Sequence, residues 1–186
     1  MSRLAPARTA AGRVCLAILI ALVVVCAAWA LLTAVGESDG AVTEGGARVF
    51  DDDVPAVANL DPRLRRALRQ AATHAARNGI EIVVNSGWRS RKYQKQLLRR
   101  AVATHGSEEG AARWVATPDT SSHVSGRAVD IGPARATAWL SRYGARYGLC
   151  RIYRNEPWHY ELRPEAIDRG CPSMYADARH DPRMPQ

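Results

Sequence analysis

The sequence predicts an α+β domain that follows a membrane-spanning helix. Helical periodicity and strand-like alternation are interspersed between residues 60 and 162. The last two strand candidates lie close enough in the chain to form an antiparallel hairpin, which favours an α+β fold over a doubly wound parallel sheet. Residues 14–35 are 22 consecutive residues without a charge, about the length that a bilayer-spanning helix needs.

The uncharged segment at 14–35 follows three arginines and no acidic residue. This charge bias predicts that residues 1–13 are a cytoplasmic stub and that everything after residue 35 lies outside the membrane. We expect a single-pass, cell-membrane protein with an extracytoplasmic C-terminal domain. The alternative is a cleaved signal peptide and secretion, but Ala28-Trp29-Ala30 is a poor cleavage site and the apolar run exceeds the usual ~7–15 residues.

The next segment, residues 36–59, is rich in Gly, Ala, Asp and Val without a sustained period. We predict a linker there, followed by the folded domain at 60–186. Its first helix begins after Asp61, an N-cap residue that precedes a proline, and ends at Asn78-Gly79. The apolar residues of this helix recur at helical spacing: Leu64, Ala67, Leu68, Ala71, Ala72 and Ala75.

The remaining elements follow from short β-branched runs and from helical spacing between cap residues. Strands are predicted at 80–85, 127–131, 149–153 and 158–162, with a turn at 154–155 joining the last two. Helices are predicted from Ser90 to Gly106, at 107–116 and at 134–147, the last ended by Gly148.

Cysteine usage and charge limit the classes of partner. Cys150 and Cys171 are the only cysteines outside the apolar span, and such a pair in an oxidising compartment predicts a disulfide. It would close a loop of about 20 residues and contribute roughly 3 kcal/mol; metal binding by these thiols has no CxxC to support it. The net charge is +8, but the arginines are spread along the chain, so no nucleic-acid partner is expected.

Two fragments carry residue types suited to a catalytic zinc site. The fragment SSHVSGRAVD contains His123 and Asp130 on either side of Gly126, which permits a tight turn. The fragment NEPWHYEL contains Glu156 and His159. Catalytic zinc takes three protein ligands, and a nearby glutamate can act as general base. Taken alone, this spacing leaves a metal site and ordinary surface or capping roles equally open.

Three motifs follow one another along the chain. They are S-G-W-R-S at 86–90 with Gln94 after it, S-x-H-x-x-G-x-A-x-D at 121–130 and E-x-W-H-x-E at 156–161. In this order they resemble the zinc D-alanyl-D-alanine carboxypeptidase family, which includes vancomycin-resistance type D,D-carboxypeptidases and dipeptidases. The resemblance covers residues 60–162, with Trp88 where tyrosine is usual. It implies a small central antiparallel sheet flanked by helices, a fold similar to the hedgehog signalling domain.

The resemblance also implies the metal and the catalytic groups. His123, Asp130 and His159 would hold Zn²⁺, and Glu156 would be the catalytic base. Arg89 would stabilise the oxyanion, a role suited to a guanidinium that stays charged and donates several hydrogen bonds.

Further roles concern the substrate and the surroundings of the site. Ser121 would lie near the C-terminal carboxylate of the substrate, with Gln94 as a second candidate for substrate contact. Glu161 would support a metal ligand or be an ordinary strand residue. Trp88 and Trp158 are expected to pack around the site.

The function implied is removal of the terminal D-alanine from peptidoglycan stem peptides ending in D-Ala-D-Ala, beside newly made wall. Cleavage between L- and D-residues, D,D-dipeptidase activity and a non-catalytic zinc-containing wall-binding module are the alternatives. The presence of both Glu156 and Arg89 argues against the binding module. The sequence leaves open the scissile bond, the oligomeric state and a role in wall remodelling or in resistance.

Overall fold

The computed structural model describes residues 35–183, which fold around a five-stranded antiparallel sheet. The strands are β1 (Ala47–Arg48), β2 (Val83–Ser86), β3 (Ala128–Gly132), β4 (Leu149–Arg151) and β5 (His159–Leu162). The α-helices are α1 (Pro55–Ala58), α2 (Pro62–Ala76), α3 (Arg91–His105), α4 (Glu108–Ala111), α5 (Ala134–Tyr143) and α6 (Ala166–Arg169). Short 3₁₀ turns lie at Glu37–Asp39, Gly144–Tyr147 and Ala178–His180. The predicted α+β class is confirmed.

The strand order is β1-β2-β3-β5-β4, so β5 lies between β3 and β4. The predicted antiparallel pairing of β4 with β5 is confirmed. The connection between them spans residues 152–158 and is longer than the expected turn at 154–155. Because β5 also pairs with β3, the second and third sequence motifs lie side by side in the sheet.

The two long helices begin where their cap residues predict. The Asp61 carboxylate accepts a hydrogen bond from the Arg63 amide at 2.8 Å, and the Ser90 hydroxyl accepts one from the Tyr93 amide at 3.0 Å. Gly106 ends α3 in the left-handed conformation. These confirmed boundaries depend on contacts within one helical turn, which a sequence displays directly.

Two other helix predictions differ in extent. Of the predicted helix at 107–116, only α4 is helical. The predicted helix at 134–147 is α5 followed by a 3₁₀ turn that ends at Gly148, which has φ +70°. Tight 3₁₀ turns are common at the ends of α-helices.

The main core lies where α2 and α5 pack on one face of the sheet. The apolar side chains of β3 and β5 on this face are Val129, Ile131 and Tyr160, all at least 99% buried. Leu64 and Leu68 of α2 are fully buried against them, and each contributes about 1.5–3 kcal/mol by leaving water.

The segment predicted as a linker, residues 36–59, is part of the fold. It contains β1, which pairs with β2, and α1, whose Val57 is fully buried in the core. Residues 36–41, called here the N-terminal strap, lie against the loop before α3: the Asp39 carbonyl and carboxylate accept hydrogen bonds from the Ser90 amide and hydroxyl at 2.8 and 2.7 Å. Elements this short have no period for a sequence to show, and only their packing reveals them.

The predicted disulfide between Cys150 and Cys171 is present, with Cα atoms 5.5 Å apart. Its Cys150 half belongs to a second apolar cluster with Ile152, Tyr153 and Ala178. The predicted membrane span, residues 14–35, lies outside the described residues except for Val35. Among the helices that the structure does describe, none is long and apolar enough to cross a bilayer.

Candidate metal centre

Asp130 and His159 are brought together by strand pairing. They are direct partners in the register of β3 and β5, so their side chains leave the same face of the sheet about 5 Å apart at Cβ. Their neighbours Val129 and Tyr160 point to the opposite, apolar face because strand side chains alternate.

His123 reaches the same point from a loop. The chain turns back at Gly126, whose amide donates to the His123 carbonyl at 3.0 Å. Gly126 has φ +68°, and a Cβ there would lie 2.6 Å from the Asn59 carbonyl oxygen, so only glycine fits this turn. The glycine between the two motif ligands is therefore a requirement of the loop.

The three ligand atoms form a small triangle. His123 Nε2 lies 3.3 Å from His159 Nδ1 and 3.4 Å from Asp130 Oδ1, and His159 Nδ1 lies 3.1 Å from the same oxygen. Zinc bonds of about 2.0–2.1 Å at tetrahedral angles place ligand atoms roughly 3.3 Å apart. The donor set and its spacing therefore fit a zinc ion.

Hydrogen bonds orient both histidines toward that point. His123 Nδ1 lies 2.8 Å from the Gly87 carbonyl, which can only accept. His159 Nε2 lies 3.3 Å from Glu161 Oε1. Each ring thus donates through the nitrogen that faces away from the triangle, the arrangement in which outer partners fix metal-binding tautomers.

The charges of the three predicted ligands are coupled. Burial opposes the charge on Asp130, but the two histidines outweigh it and hold the pKa of the carboxyl well below its usual range. Burial also opposes protonation of His159, but hydrogen bonds to Asp130 and Glu161 raise its pKa to about 9. Burial and the nearby Arg89 charge lower the pKa of His123. A cation that binds here displaces the proton on His159.

Glu156 lies beside the triangle in the connection between β4 and β5. Its Oε2 is 4.0 Å from His159 Nδ1, and its backbone carbonyl accepts a hydrogen bond from the His159 amide at 3.1 Å. Burial raises the pKa of Glu156 to about 7. A carboxyl group with this pKa can both take up and release a proton near neutral pH.

Arg89 enters the same cavity from the loop before α3. Its amide donates to the His123 carbonyl at 3.4 Å, and burial lowers the pKa of its guanidinium. The buried Nε atom has no hydrogen-bond partner among the described residues. A buried donor of this kind is suited to an anionic oxygen of a bound molecule.

Ser121 and Gln94, the predicted substrate contacts, are buried and paired with each other. The Ser121 hydroxyl donates to Gln94 Oε1 at 3.2 Å, and Gln94 Nε2 donates to the Ala116 carbonyl at 2.7 Å. Both residues line the cavity. Ser121 must redirect its proton to bind a carboxylate, whereas Gln94 orients Ser121.

The cavity has a volume of about 300 Å³, and two tryptophans are among the residues that line it. These residues, Trp114 and Trp158, are each 42% exposed, so both present apolar surface to solvent. The Tyr153 ring lies 5.1 Å from the His159 ring. The predicted catalytic, metal and substrate residues all line this one cavity.

Three further residues around the centre were not predicted from the sequence. Tyr153 packs on His159, and its hydroxyl donates to Asp181 at 3.0 Å. Arg183 donates to Glu161 at 2.8 Å. Neither Asp181 nor Arg183 belongs to a motif, and the C-terminal segment carries no local signal of its return to the site.

A family model and a known relative both indicate that the chain is similar to D-alanyl-D-alanine carboxypeptidases. The model of the family VanY, D-alanyl-D-alanine carboxypeptidase, matches residues 57–165. A D-alanyl-D-alanine carboxypeptidase of Enterococcus faecalis (strain ATCC 700802 / V583) is 29% identical over 126 residues, which is 54% of this chain and 47% of that protein. The chain therefore spans about half the length of this relative.

Solved structures extend the similarity to the fold. A mutant of the vancomycin-resistance D,D-pentapeptidase VanY in complex with Zn(II) is 29% identical, with a TM-score of 0.52 over 55% of this chain and 72% of that chain. VanYB in complex with D-alanine-D-alanine is 27% identical, with a TM-score of 0.55; the match covers 60% of this chain and 74% of that chain. The L,D-carboxypeptidase DacB of Streptococcus pneumoniae is 25% identical, with a TM-score of 0.50; the match covers 60% of this chain and 71% of that chain.

Proposed function

Since the chain belongs to the VanY family of D-alanyl-D-alanine carboxypeptidases, we propose that it is a zinc-dependent D,D-carboxypeptidase. Its substrate is a peptidoglycan stem peptide ending in D-Ala-D-Ala, from which it removes the terminal D-alanine. The observation that carries this proposal is the meeting of a zinc-sized ligand triangle with Glu156 and Arg89 in one cavity. VanYB, solved with D-alanine-D-alanine, supports the choice of substrate.

The residues that would hold the metal are His123, Asp130 and His159, because their donor atoms fit zinc in type and in spacing. The chemistry that Zn²⁺ supplies when bound at such a site is polarisation of the scissile carbonyl and a lower pKa for the attacking water. The zinc complex of the related D,D-pentapeptidase supports this assignment.

Glu156 moves the proton. Its carboxylate takes a proton from the water that attacks the carbonyl between the two D-alanines. It then gives the proton to the nitrogen of the departing D-alanine as the C–N bond breaks. The raised pKa of Glu156, about 7, suits both steps because neither the charged nor the neutral form is strongly favoured near neutral pH.

Arg89 stabilises the negative charge that develops on the carbonyl oxygen. Its buried Nε has no hydrogen-bond partner among the described residues, so this donor can bind the oxyanion without first breaking another hydrogen bond. Charge stabilisation by a preorganised donor in a partly dry cavity is a large contribution to acyl-transfer catalysis. Ser121 lines the same cavity, and its role is to bind the terminal carboxylate of the substrate.

The test uses the purified full-length chain, with its zinc content measured, and a peptide ending in D-Ala-D-Ala. We expect D-alanine release that a chelator abolishes and added zinc restores. Release only from a tetrapeptide with a terminal L,D bond would replace the proposal with an L,D-carboxypeptidase, the activity named for DacB. Cleavage only of free D-Ala-D-Ala would indicate a dipeptidase. No cleavage by the zinc-loaded protein would favour a wall-binding module.

We further propose that residues 14–35 anchor the domain to the outer face of the cell membrane. The supporting observations are the uncharged run with arginines before it and the Cys150–Cys171 disulfide, which is typical of proteins outside the cytoplasm. Alkaline extraction of membranes from cells that make the full chain should leave the protein in the pellet. A soluble product that lacks the first ~30 residues would show cleavage and secretion instead.

A further inference from the structure

The Glu161 carboxylate connects a predicted metal ligand to two arginines. It is 99% buried on β5. Its Oε1 accepts from His159 Nε2 at 3.3 Å, and its Oε2 accepts from Arg163 at 2.5 Å and from Arg183 at 2.8 Å. Both oxygens are therefore engaged, and the carboxylate cannot rotate without losing a charged hydrogen bond.

Arg183 reaches this carboxylate from the C-terminal segment, which lies beyond the family match at 57–165. Asp181 holds it there: its Oδ1 accepts from the Arg183 amide at 3.0 Å and from Nε at 2.9 Å, and its Oδ2 accepts from a terminal guanidinium nitrogen. Asp181 is itself 99% buried and accepts from the Tyr153 hydroxyl at 3.0 Å. The guanidinium is thus fixed on both sides.

We propose that Arg183 is a positioning residue for the metal centre. By fixing Glu161, it keeps His159 donating through Nε2 and presenting Nδ1 to the metal. Outer partners of ligating histidines typically change metal affinity 10- to 100-fold when they are removed. The inference rests on the proposed zinc site, and it makes the C-terminal segment part of that site.

A purely structural role for Arg183 is the rival explanation. Arg183 also neutralises Asp181, so its loss could loosen the C-terminal segment without acting through Glu161. The two explanations differ in one respect. If Arg183 acts by positioning Glu161, its substitution has no further effect on zinc affinity once Glu161 is also substituted. If its loss instead loosens the segment, the effect persists in that background.

The first measurement is the zinc affinity of the purified full-length chain, by competition with a chromophoric chelator. We expect Arg183→Gln to bind zinc about 10-fold more weakly than the natural protein. Arg183→Lys keeps the charge but cannot bond both carboxylates as a fork does, so it should restore part of the affinity. The matched control is Arg179→Gln, in the same segment. The Arg179 guanidinium donates to the Glu109 carbonyl at 3.5 Å, so its loss should change zinc affinity less than twofold.

The second measurement repeats Arg183→Gln in a Glu161→Gln background. If Arg183 acts through Glu161, Glu161→Gln alone weakens zinc binding about 10-fold. The double variant should then bind zinc within twofold of the Glu161→Gln single variant. Equal losses in both backgrounds would overturn the inference, and so would unchanged affinity in Arg183→Gln. Should Arg183→Gln not fold, as judged by thermal unfolding, the cycle is run with Arg183→Lys. A natural protein that binds no zinc would instead overturn the proposed function, and the inference with it.

Discussion

The two faces of β3 and β5 differ in what their side chains do. On one face Val129, Ile131 and Tyr160 pack against α2 and α5 and hold the domain together. On the other, Asp130 and His159 carry the predicted metal site. Because strand side chains alternate, two adjacent strands supply both the core and the chemistry. Substitutions on one face should therefore alter stability, and substitutions around the other should alter turnover.

Glu156→Gln is expected to have the largest effect on turnover while leaving stability unchanged. The amide cannot take the proton of the attacking water, so kcat should fall about 10²- to 10⁴-fold. Bound zinc and the thermal unfolding midpoint should stay close to those of the natural protein, because the substitution keeps the shape of the side chain. Steady-state kinetics, metal analysis and calorimetry measure the three quantities. Full activity in this variant would remove Glu156 from the mechanism.

Ile131→Ala, on the apolar face, is expected to lower stability while leaving turnover nearly unchanged. The cavity it leaves should lower the free energy of unfolding by about 2–5 kcal/mol. At a temperature where the variant remains folded, kcat should be within about twofold of the natural value, since Ile131 does not line the site. Ile131→Val is the graded control and should cost about 0.5–1.5 kcal/mol. A large loss of kcat in folded Ile131→Ala would mean that the two faces are coupled.

The N-terminal strap packs against the loop that carries Arg89, so a substitution in the strap can show whether this packing positions Arg89. Gly40 has φ +88°, and a Cβ there would lie 2.2 Å from the Trp88 carbonyl oxygen and 2.8 Å from Arg89 Cα. Gly40→Ala should therefore displace Arg89 and lower kcat about 10-fold or more.

Gly45→Ala is the matched control for this strap variant. Gly45 has φ +95°, but a Cβ there meets nothing within 4 Å. Both variants incur the cost of a left-handed alanine, about 1–2 kcal/mol, and only Gly40→Ala should lose turnover. Equal kcat values for the two variants would show that the strap does not position Arg89.

The smallest expected effect is in the pH profile. Glu156 must be deprotonated to act as base, so kcat/KM should rise with pH through its pKa and then level. Burial raises the pKa of Glu156 to about 7, and a bound cation would lower it, so the acid limb should have its midpoint at or below about pH 7. In Glu156→Gln this limb should be absent from the residual activity. A limb of unchanged midpoint in that variant would assign the titration to another group.

Much of the fold was predictable because its signals are local. Asp61 and Ser90 cap helices through amides two and three residues away, and Gly106 and Gly148 end helical segments in the left-handed conformation. The motif order identified the residues that line the cavity, including His123 and His159. The short elements at 36–59 were missed because a two-residue strand has no pattern of its own.

The sequence by itself determined the residue types of the centre, the turn at Gly126 and the starts of the two long helices, since each depends on neighbours a few positions away. Only the tertiary structure placed β5 next to β3, which sets Asp130 opposite His159. It alone brought Arg183 back to Glu161 and fixed which nitrogen of each histidine faces the triangle. These features depend on contacts between segments far apart in the chain, and their free energy comes from packing that no short window of sequence contains.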